Sequence, residues 1–298
     1  MQIRSAEFFA GLHRTGQPLL LANAWDAGSA VAIEAAGAKA IATTSAGVAW
    51  SLGVPDAAGL GADRAAAVIG RIVAAVSVPV SADIEAGYGD SPDAVAATVA
   101  AVVGAGAVGV NLEDRRDGAC LFGAAEQAER LAAARRAASG VPVWINARTD
   151  VFLSGACPSI RAGVADALER AAVYQAAGAD SLFVPGLVDL EAIAELAAGP
   201  LPVAVMVWPG APTVSELTAA GVVRISLGSA IAQAAYGLAA RAAAELFTNG
   251  TYDMTVDGVE YQVMNDALAG VAPSAASRSG HGALAAVAGR SGFGVARG

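Results

Sequence analysis

Two kinds of strand opener alternate along this 298-residue chain, and their spacing restricts the fold more than any other feature of it. The first is a proline leading into an apolar run, at Pro18-Leu19-Leu20-Leu21, Pro79-Val80, Pro142-Val143-Trp144 and Pro202-Val203. Proline is tolerated as the first residue of a strand. The second is a helix-ending Ala-Gly followed by a small residue and an apolar run, at Ala36-Gly37-Ala38, Ala105-Gly106-Ala107, Ala177-Gly178-Ala179 and Ala220-Gly221-Val222. Glycine there suits the left-handed residue just past a helix C-terminus. The openers fall at 18, 37, 79, 106, 142, 178, 202 and 221, which predicts eight strands. Ala-rich stretches at 63–76, 92–103, 124–138 and 159–177 read as helices between them. Such alternation with short connections implies a parallel sheet. Eight units in about 230 residues fit an α/β, (β/α)8 TIM barrel. The rival, a doubly wound open sheet, requires a Gly-rich turn after the first strand, and Asn23-Ala24-Trp25-Asp26 is not one.

A short helix is expected near 5–13, and two more after the last strand, at 229–247 and 259–269. Residues 1–272 are read as one barrel domain and the Ser-, Gly- and Ala-rich 273–298 as a flexible tail. With 55% hydrophobic and 15% charged residues, the chain can fill a large core. A net charge of −9 argues against a nucleic-acid surface. It does not exclude an anionic substrate, because a metal and one or two arginines reverse the field locally. No apolar run reaches the ~18 residues that span a bilayer. Met1-Gln2-Ile3-Arg4 carries no signal-peptide core. The expectation is a soluble, cytoplasmic protein with neither membrane nor nucleic-acid partners. The single lysine, Lys39, opens a strand, which disfavours a Schiff base. Cys120 and Cys157 are too few for a disulfide scaffold or a Cys-rich zinc site. His13 and His281 lie far from the polar motifs, so a Ser–His–Asp triad is disfavoured.

In barrels the active site forms at the C-terminal ends of the strands. Polar residues follow the apolar runs at five successive strand ends: Asn23, Trp25 and Asp26; Thr43 to Gly47; Asp83 to Asp90; Asn111 to Arg115; Asn146 to Asp150. Asp83 and Glu85 have strand spacing and can share a face. Glu113 arrives from the adjacent strand. Three carboxylates without histidine suit a hard cation such as Mg2+, with Mn2+ as the alternative, some of them acting through water. The same acids could equally serve as partners of Arg115 and Arg148. A guanidinium at Arg148 suits a substrate carboxylate, or an ion pair with Asp150 or Glu113. Thr44, Ser45 and Ala46 precede a glycine and can offer N–H groups and hydroxyls to an anion. Tyr88 and Asp56 are candidate proton-handling groups.

These motifs resemble the isocitrate lyase/phosphoenolpyruvate mutase superfamily over about residues 5–250. The resemblance is carried by Asn23-Ala24-Trp25-Asp26, by Thr43-Thr44-Ser45-Ala46-Gly47 with Ser51-Leu52-Gly53-Val54-Pro55-Asp56, by Ala82-Asp83-Ile84-Glu85-Ala86-Gly87-Tyr88-Gly89, by Val110-Asn111-Leu112-Glu113-Asp114, and by Asn146-Ala147-Arg148-Thr149-Asp150. It implies Mg2+-dependent cleavage or formation of C–C or P–C bonds beside a carboxylate, in dimers or tetramers whose last helix is often exchanged. It implies Asp83 as principal metal ligand, with Glu85 and Glu113 in support. Trp25, Thr44, Ser45, Ala46, Asn146 and Arg148 would then contact a small carboxylate substrate, and Asp56 would line the site. The lyases carry Lys-Lys/Arg-Cys-Gly-His in a mobile loop after the fourth strand. Here that loop reads Arg115-Arg116-Asp117-Gly118-Ala119-Cys120-Leu121-Phe122-Gly123, with the cysteine one residue early and no Gly-His. Cys120 is a candidate proton donor on that basis. Met206-Val207-Trp208-Pro209-Gly210 replaces the polar segment of the lyases, and Val184-Pro185-Gly186 lacks their glutamate. The expected activity is a C–C lyase or hydrolase acting through an enolate. The alternatives are a phosphonate enzyme of phosphoenolpyruvate mutase or phosphonopyruvate hydrolase type, and a barrel that binds metal and acid without turnover.

Overall fold

The computed structural model describes residues 1–270 except 117, 119 and 156, so the expected tail at 273–298 lies outside the described residues. The strands are β1 (Leu19–Leu21), β2 (Asn23–Ala24), β3 (Ile41–Thr43), β4 (Val80–Asp83), β5 (Gly109–Glu113), β6 (Trp144–Arg148), β7 (Ser181–Phe183), β8 (Val203–Met206) and β9 (Arg224–Ser226). All pair in parallel, in the order β1-β9-β8-β7-β6-β5-β4-β3-β2. The two ends of that order are halves of one run. Only Ala22 separates β1, which pairs with β9, from β2, which pairs with β3. The ring therefore closes as an eight-unit barrel, and the eight predicted strands become nine segments because the first one changes partner midway.

The helices are α1 (Gln2–Ala10), α2 (Ala27–Ala35), α3 (Ser45–Ser51), α4 (Ala62–Ala75), α5 (Pro92–Gly104), α6 (Ala124–Ala137), α7 (Ile160–Ala176), α8 (Leu190–Ala197), α9 (Val214–Ala219), α10 (Ala230–Asn249) and α11 (Tyr261–Leu268). Most loops leaving a strand end on a side chain that accepts from the first helical turn. Asp26, Thr44, Ser91, Ser159, Asp189 and Thr213 cap α2, α3, α5, α7, α8 and α9. The return loops use the predicted glycines: Gly37, Gly106, Gly178 and Gly221 have φ between 90° and 104°, a region open to glycine and closed to most side chains. Among the described residues no helix is long and apolar enough to cross a membrane.

Strand alternation sorts the side chains into two sets. Val80, Ala82, Val110, Leu112, Ile145, Ala147, Leu182, Val184, Val203 and Val205 point outward into the core beneath the helices. The inward set is tiered. At the N-terminal end, Ala6 and Phe9 of α1 pack with Leu19, Leu21, Ala40, Ala42 and Val108 and plug the barrel. His13 stacks on Trp144 there, with ring centroids 4.0 Å apart. Burial, aided by Arg224, pushes the imidazole down to about 3, so it is neutral. Above the plug lies a polar tier. Arg224 Nη2 and Asn146 Nδ2 both donate to Asn111 Oδ1, at 3.0 and 2.8 Å. Ser181 Oγ donates to Asn146 Oδ1 at 2.6 Å, and Trp144 Nε1 to Ser181 Oγ at 2.8 Å. Arg224 is fully buried, and burial pushes it down to about 10, so it remains charged at neutral pH.

Phe9 is completely buried, and an added Cβ at Gly109 would meet its ring at 2.7 Å. Phe9→Ala should therefore cost on the order of 3–5 kcal/mol, read as a lower urea midpoint.

Candidate active site

The third tier stands two residues further along each strand. Ser81 is followed by Asp83, Asn111 by Glu113, Asn146 by Arg148 and Ser181 by Phe183. Asp83, at the end of β4, is fixed by the neighbouring strand: its N–H donates to Thr43 Oγ1 at 2.8 Å, and its Oδ2 accepts from Ser45 N at 3.3 Å. Its Oδ1 is buried without a partner, and so is Oε1 of Glu85. An ionised carboxylate only accepts, so these two oxygens call for a cation or a donor that the described residues do not supply.

The segment holding Glu85 is strained. Glu85 has φ +50° and Tyr88 φ +53°, left-handed values that cost on the order of 1–3 kcal/mol each for residues with a side chain. Three restraints hold it there. Glu113 N donates to Glu85 O at 3.0 Å, and Thr98 Oγ1 donates to Gly87 O at 2.8 Å. Buried Arg130 of α6 donates to Gly89 O at 2.9 Å and to the carbonyls of Ala86 and Asp90. The Arg130 guanidinium lies on the ring of Phe122, 4.0 Å from its centroid, and Arg116 lies 4.4 Å from the same centroid. Sequence reading misses Arg130, because its contacts are to carbonyls some forty residues away.

Arg148 is bracketed by two acids. Its Nε and Nη2 donate to Asp150 Oδ1 and Oδ2 at 2.6 and 2.9 Å, and its Nη1 lies 2.7 Å from Glu113 Oε2. Asp150 in turn meets Arg115 Nε at 3.5 Å, and its N–H donates to Asp114 Oδ1 at 2.9 Å. Asp114 Oδ2 accepts from Arg170 and Tyr174 at 3.0 and 2.9 Å. Asp114, Arg170 and Tyr174 were not among the sequence candidates.

The three expected metal acids are thus not equivalent. Among the described residues no three His, Cys, Asp or Glu side chains are arranged around one ion, because Glu113 turns to Arg148. Burial pushes the Glu113 carboxyl up, and Arg148 pulls against it. Asp83 and Glu85 keep the unpartnered oxygens. That fits Mg2+, which usually takes one or two carboxylates and retains its waters.

Thr44, Ser45 and Ala46 form the cap and first turn of α3 rather than an irregular turn. Thr44 Oγ1 accepts from Gly47 N at 3.4 Å, and Ser45 N is engaged by Asp83. A Cβ on Gly47 would stand 2.7 Å from Thr44 Cγ2 and 2.8 Å from Trp25 Cβ, so half-buried Trp25 packs against this turn. Asp56 lies on the exposed loop after α3, with its carboxyl in reach of the Ser45 hydroxyl; desolvation and the Asp83 charge push it up. Tyr88 has its hydroxyl beside Glu85, and burial with that acid pushes it well above the usual tyrosine range. Asn146 is fully buried in the tier beneath, with both ends of its amide engaged. Cys120 is exposed, on the hairpin that Arg115 and Leu121 close.

Burial, then Asp56 and Asp83, push Glu85 from 4.5 up to about 7. A carboxyl that binds its proton more tightly in the folded state favours folding at low pH, and that contribution is lost as pH rises from about 4.5 through about 7. In chelator-treated protein, unfolding free energy measured in urea should fall across this window, and Glu85→Gln should flatten the slope.

Residues 8–247 match the family described as phosphoenolpyruvate phosphomutase. A Mycobacterium tuberculosis protein described as uncharacterized is 39% identical over 237 residues, 79% of this chain and 87% of that one. The 2-methylisocitrate lyase of Escherichia coli is 32% identical over 182 residues, which span 58% of this chain and 59% of the lyase. A crystal structure of a Burkholderia cenocepacia protein described as a lyase/mutase superposes with TM-score 0.82 at 40% identity, covering 92% of this chain and 98% of that one.

Proposed function

Because the chain belongs to the phosphoenolpyruvate phosphomutase family, we propose that it is a Mg2+-dependent enzyme cleaving a C–C bond in a small 2-oxo or hydroxy carboxylic acid. The observation that carries this reading is the pair of unpartnered buried oxygens on Asp83 and Glu85. These two residues would hold the cation, Mn2+ being the alternative, while Glu113 stands behind them. The ion's contribution is that of a Lewis acid on the substrate's oxo and carboxylate oxygens, which makes an enolate tolerable.

The chain's own groups do the rest. Arg148 uses three of its five N–H donors on Glu113 and Asp150, leaving two for a substrate carboxylate. The bracketing acids keep its plane fixed, so the substrate is oriented without reorganisation. The α3 turn at Thr44–Ala46, with Trp25 against it, closes the adjacent wall. Tyr88 and Asp56 hold protons beside the reacting end. The hairpin around Cys120 would close and exclude water, with the thiol as candidate donor. The E. coli relative is a 2-methylisocitrate lyase by name, which supports this chemistry. The family description itself favours a second reading, P–C bond chemistry on a phosphonate. Release of pyruvate or oxalate, against release of phosphate, separates the two.

We further propose a homodimer or homotetramer. The outer wall beside β1 and β9 carries a groove of about 1130 Å3 lined by Leu19, Leu20, Ile33, Val214, Ile225 and Ile231. Beyond the barrel, Leu246, Phe247, Tyr252, Val256 and Tyr261 are exposed. A second copy offering such a surface would cover the groove.

Asp83→Ala should abolish Mg2+-dependent turnover and the heat of Mg2+ binding, with the unfolding midpoint unchanged within a few degrees. Normal turnover in that variant would remove the assignment. Light scattering should give a mass two or four times that of the chain, and Leu20→Arg should lower it.

A further inference from the structure

The third tier is chemically divided. On β4, β5 and β6 it presents Asp83, Glu113 and Arg148. The strands that complete the ring present something else. Phe183 is the register partner of Arg148 and so faces the same way. It is 5% exposed, and its neighbours Leu182 and Val184 belong to the outer core. On β8, Val203 and Val205 point outward, which turns Met206 inward. Its sulfur lies 2.5 Å from where a Cβ on Gly228 would stand, so it packs on the turn that follows β9.

Ring order puts β8 across the barrel from β4, and β9 across from β5. The reach of Arg224 from β9 to Asn111 on β5 confirms that facing. A substrate whose oxo-acid end sits at Asp83 and Glu85 therefore extends toward Phe183 and Met206. Polar groups on that side are engaged by the protein. Ser226 Oγ donates to Val205 O at 3.4 Å, and Asn23 binds Thr43 O and Leu227 N at 3.0 and 3.1 Å. The loop segments 184–189, 207–213 and 227–232 contain no lysine, arginine or histidine. Asp189, the one acid there, caps α8. Of the cations bordering the mouth, Arg148 is held by two carboxylates and keeps two N–H donors for the oxo-acid head, Arg115 lies 3.5 Å from Asp150, and Arg116 pairs with Glu126. A second carboxylate on this side would lose its water with no cation on the facing segments to replace it, a large penalty, whereas an alkyl group would gain from leaving water.

We infer that the substrate is a 2-oxo acid with a single carboxylate, a C4 hydroxyl that gives up its proton as the C3–C4 bond breaks to an enolate and a carbonyl fragment, and an apolar alkyl end seated against Phe183 and Met206. This rests on the functional reading above and narrows it from dicarboxylic acids to alkyl-substituted monocarboxylic ones. Phe183 and Met206 are then the specificity determinants.

Two ligands of nearly equal shape test it. Oxaloacetate and 4-methyl-2-oxopentanoate share the 2-oxo-acid head and a CH2 group, and differ only in ending on a carboxylate or an isopropyl group. Each is titrated into the full chain with Mg2+, with oxalate as a probe of the head site alone. Oxalate should bind, and 4-methyl-2-oxopentanoate should bind about tenfold or more tighter than oxaloacetate. Met206→Arg should reverse that order and leave oxalate affinity within about twofold. If oxalate binds but oxaloacetate is the tighter ligand, the apolar assignment is wrong and the functional reading stands. If oxalate fails to bind with Mg2+, both fall. The wild-type comparison decides the matter even if Met206→Arg does not fold.

Discussion

Arg148 between Glu113 and Asp150 is the interaction on which the rest of the site depends. A guanidinium taken out of water needs close, well-shaped partners, and removing one partner of a buried pair leaves an uncompensated charge. Here the forked contact to Asp150 supplies the shape and Glu113 the second charge. Asp150 is itself held through its own N–H by Asp114, which Arg170 and Tyr174 anchor to α7. The rim is therefore braced from an outer helix through the sheet. This also explains why Glu113 is not a free acid of the site: it is the counter-charge that lets Arg148 exist there.

With Glu113 so engaged, the surplus of negative charge concentrates on Asp83 and Glu85. The strained backbone at Glu85 and Tyr88 is what aims Glu85, and it persists because carbonyls on that segment are gripped by Thr98 and Arg130. Strain stored at a site and restrained by its surroundings is a familiar form of preorganisation. Phe122, between the guanidiniums of Arg130 and Arg116, ties the same segment to the hairpin beside it.

The barrel was legible in the sequence because its signals are local. Proline at strand entry and glycine at helix exit act through their own backbone chemistry, and those eight positions sufficed for element order. Parity along β4 likewise places Asp83 on the inner face, but the strand spacing expected of Asp83 and Glu85 does not hold, because Glu85 lies past the strand with φ +50°. What parity cannot give is the register between strands or the choice of rotamer. Glu113 reads equally as a metal ligand or as a partner of Arg148, and only the folded chain shows the pairing, at 2.7 Å. Asn146 reads as a substrate contact until Asn111 and Ser181 are seen to hold its amide. Thr44, Ser45 and Ala46 read as an anion-binding turn before a glycine until Gly47, packed against Thr44, Trp25 and Ala232, is seen inside α3. The alternation Ser81-Asp83, Asn111-Glu113, Asn146-Arg148 does contain a hint of stacked polar layers, but Ser181 and Arg224 join that layer only once the ring is closed.

The single-residue gap at Ala22 has a consequence for how this fold tolerates change. Leu19 and Leu21 belong to the plug below, while Asn23 belongs to the upper part of the same inner wall. One residue between the two halves preserves a frame of two, so both halves present their odd-numbered side chains to the interior. An insertion of one residue there would leave the lower half in place and turn Asn23 and Trp25 outward. A one-residue change of length at this point is thus disfavoured, and the first strand behaves as a fixed ruler joining the floor of the barrel to its mouth.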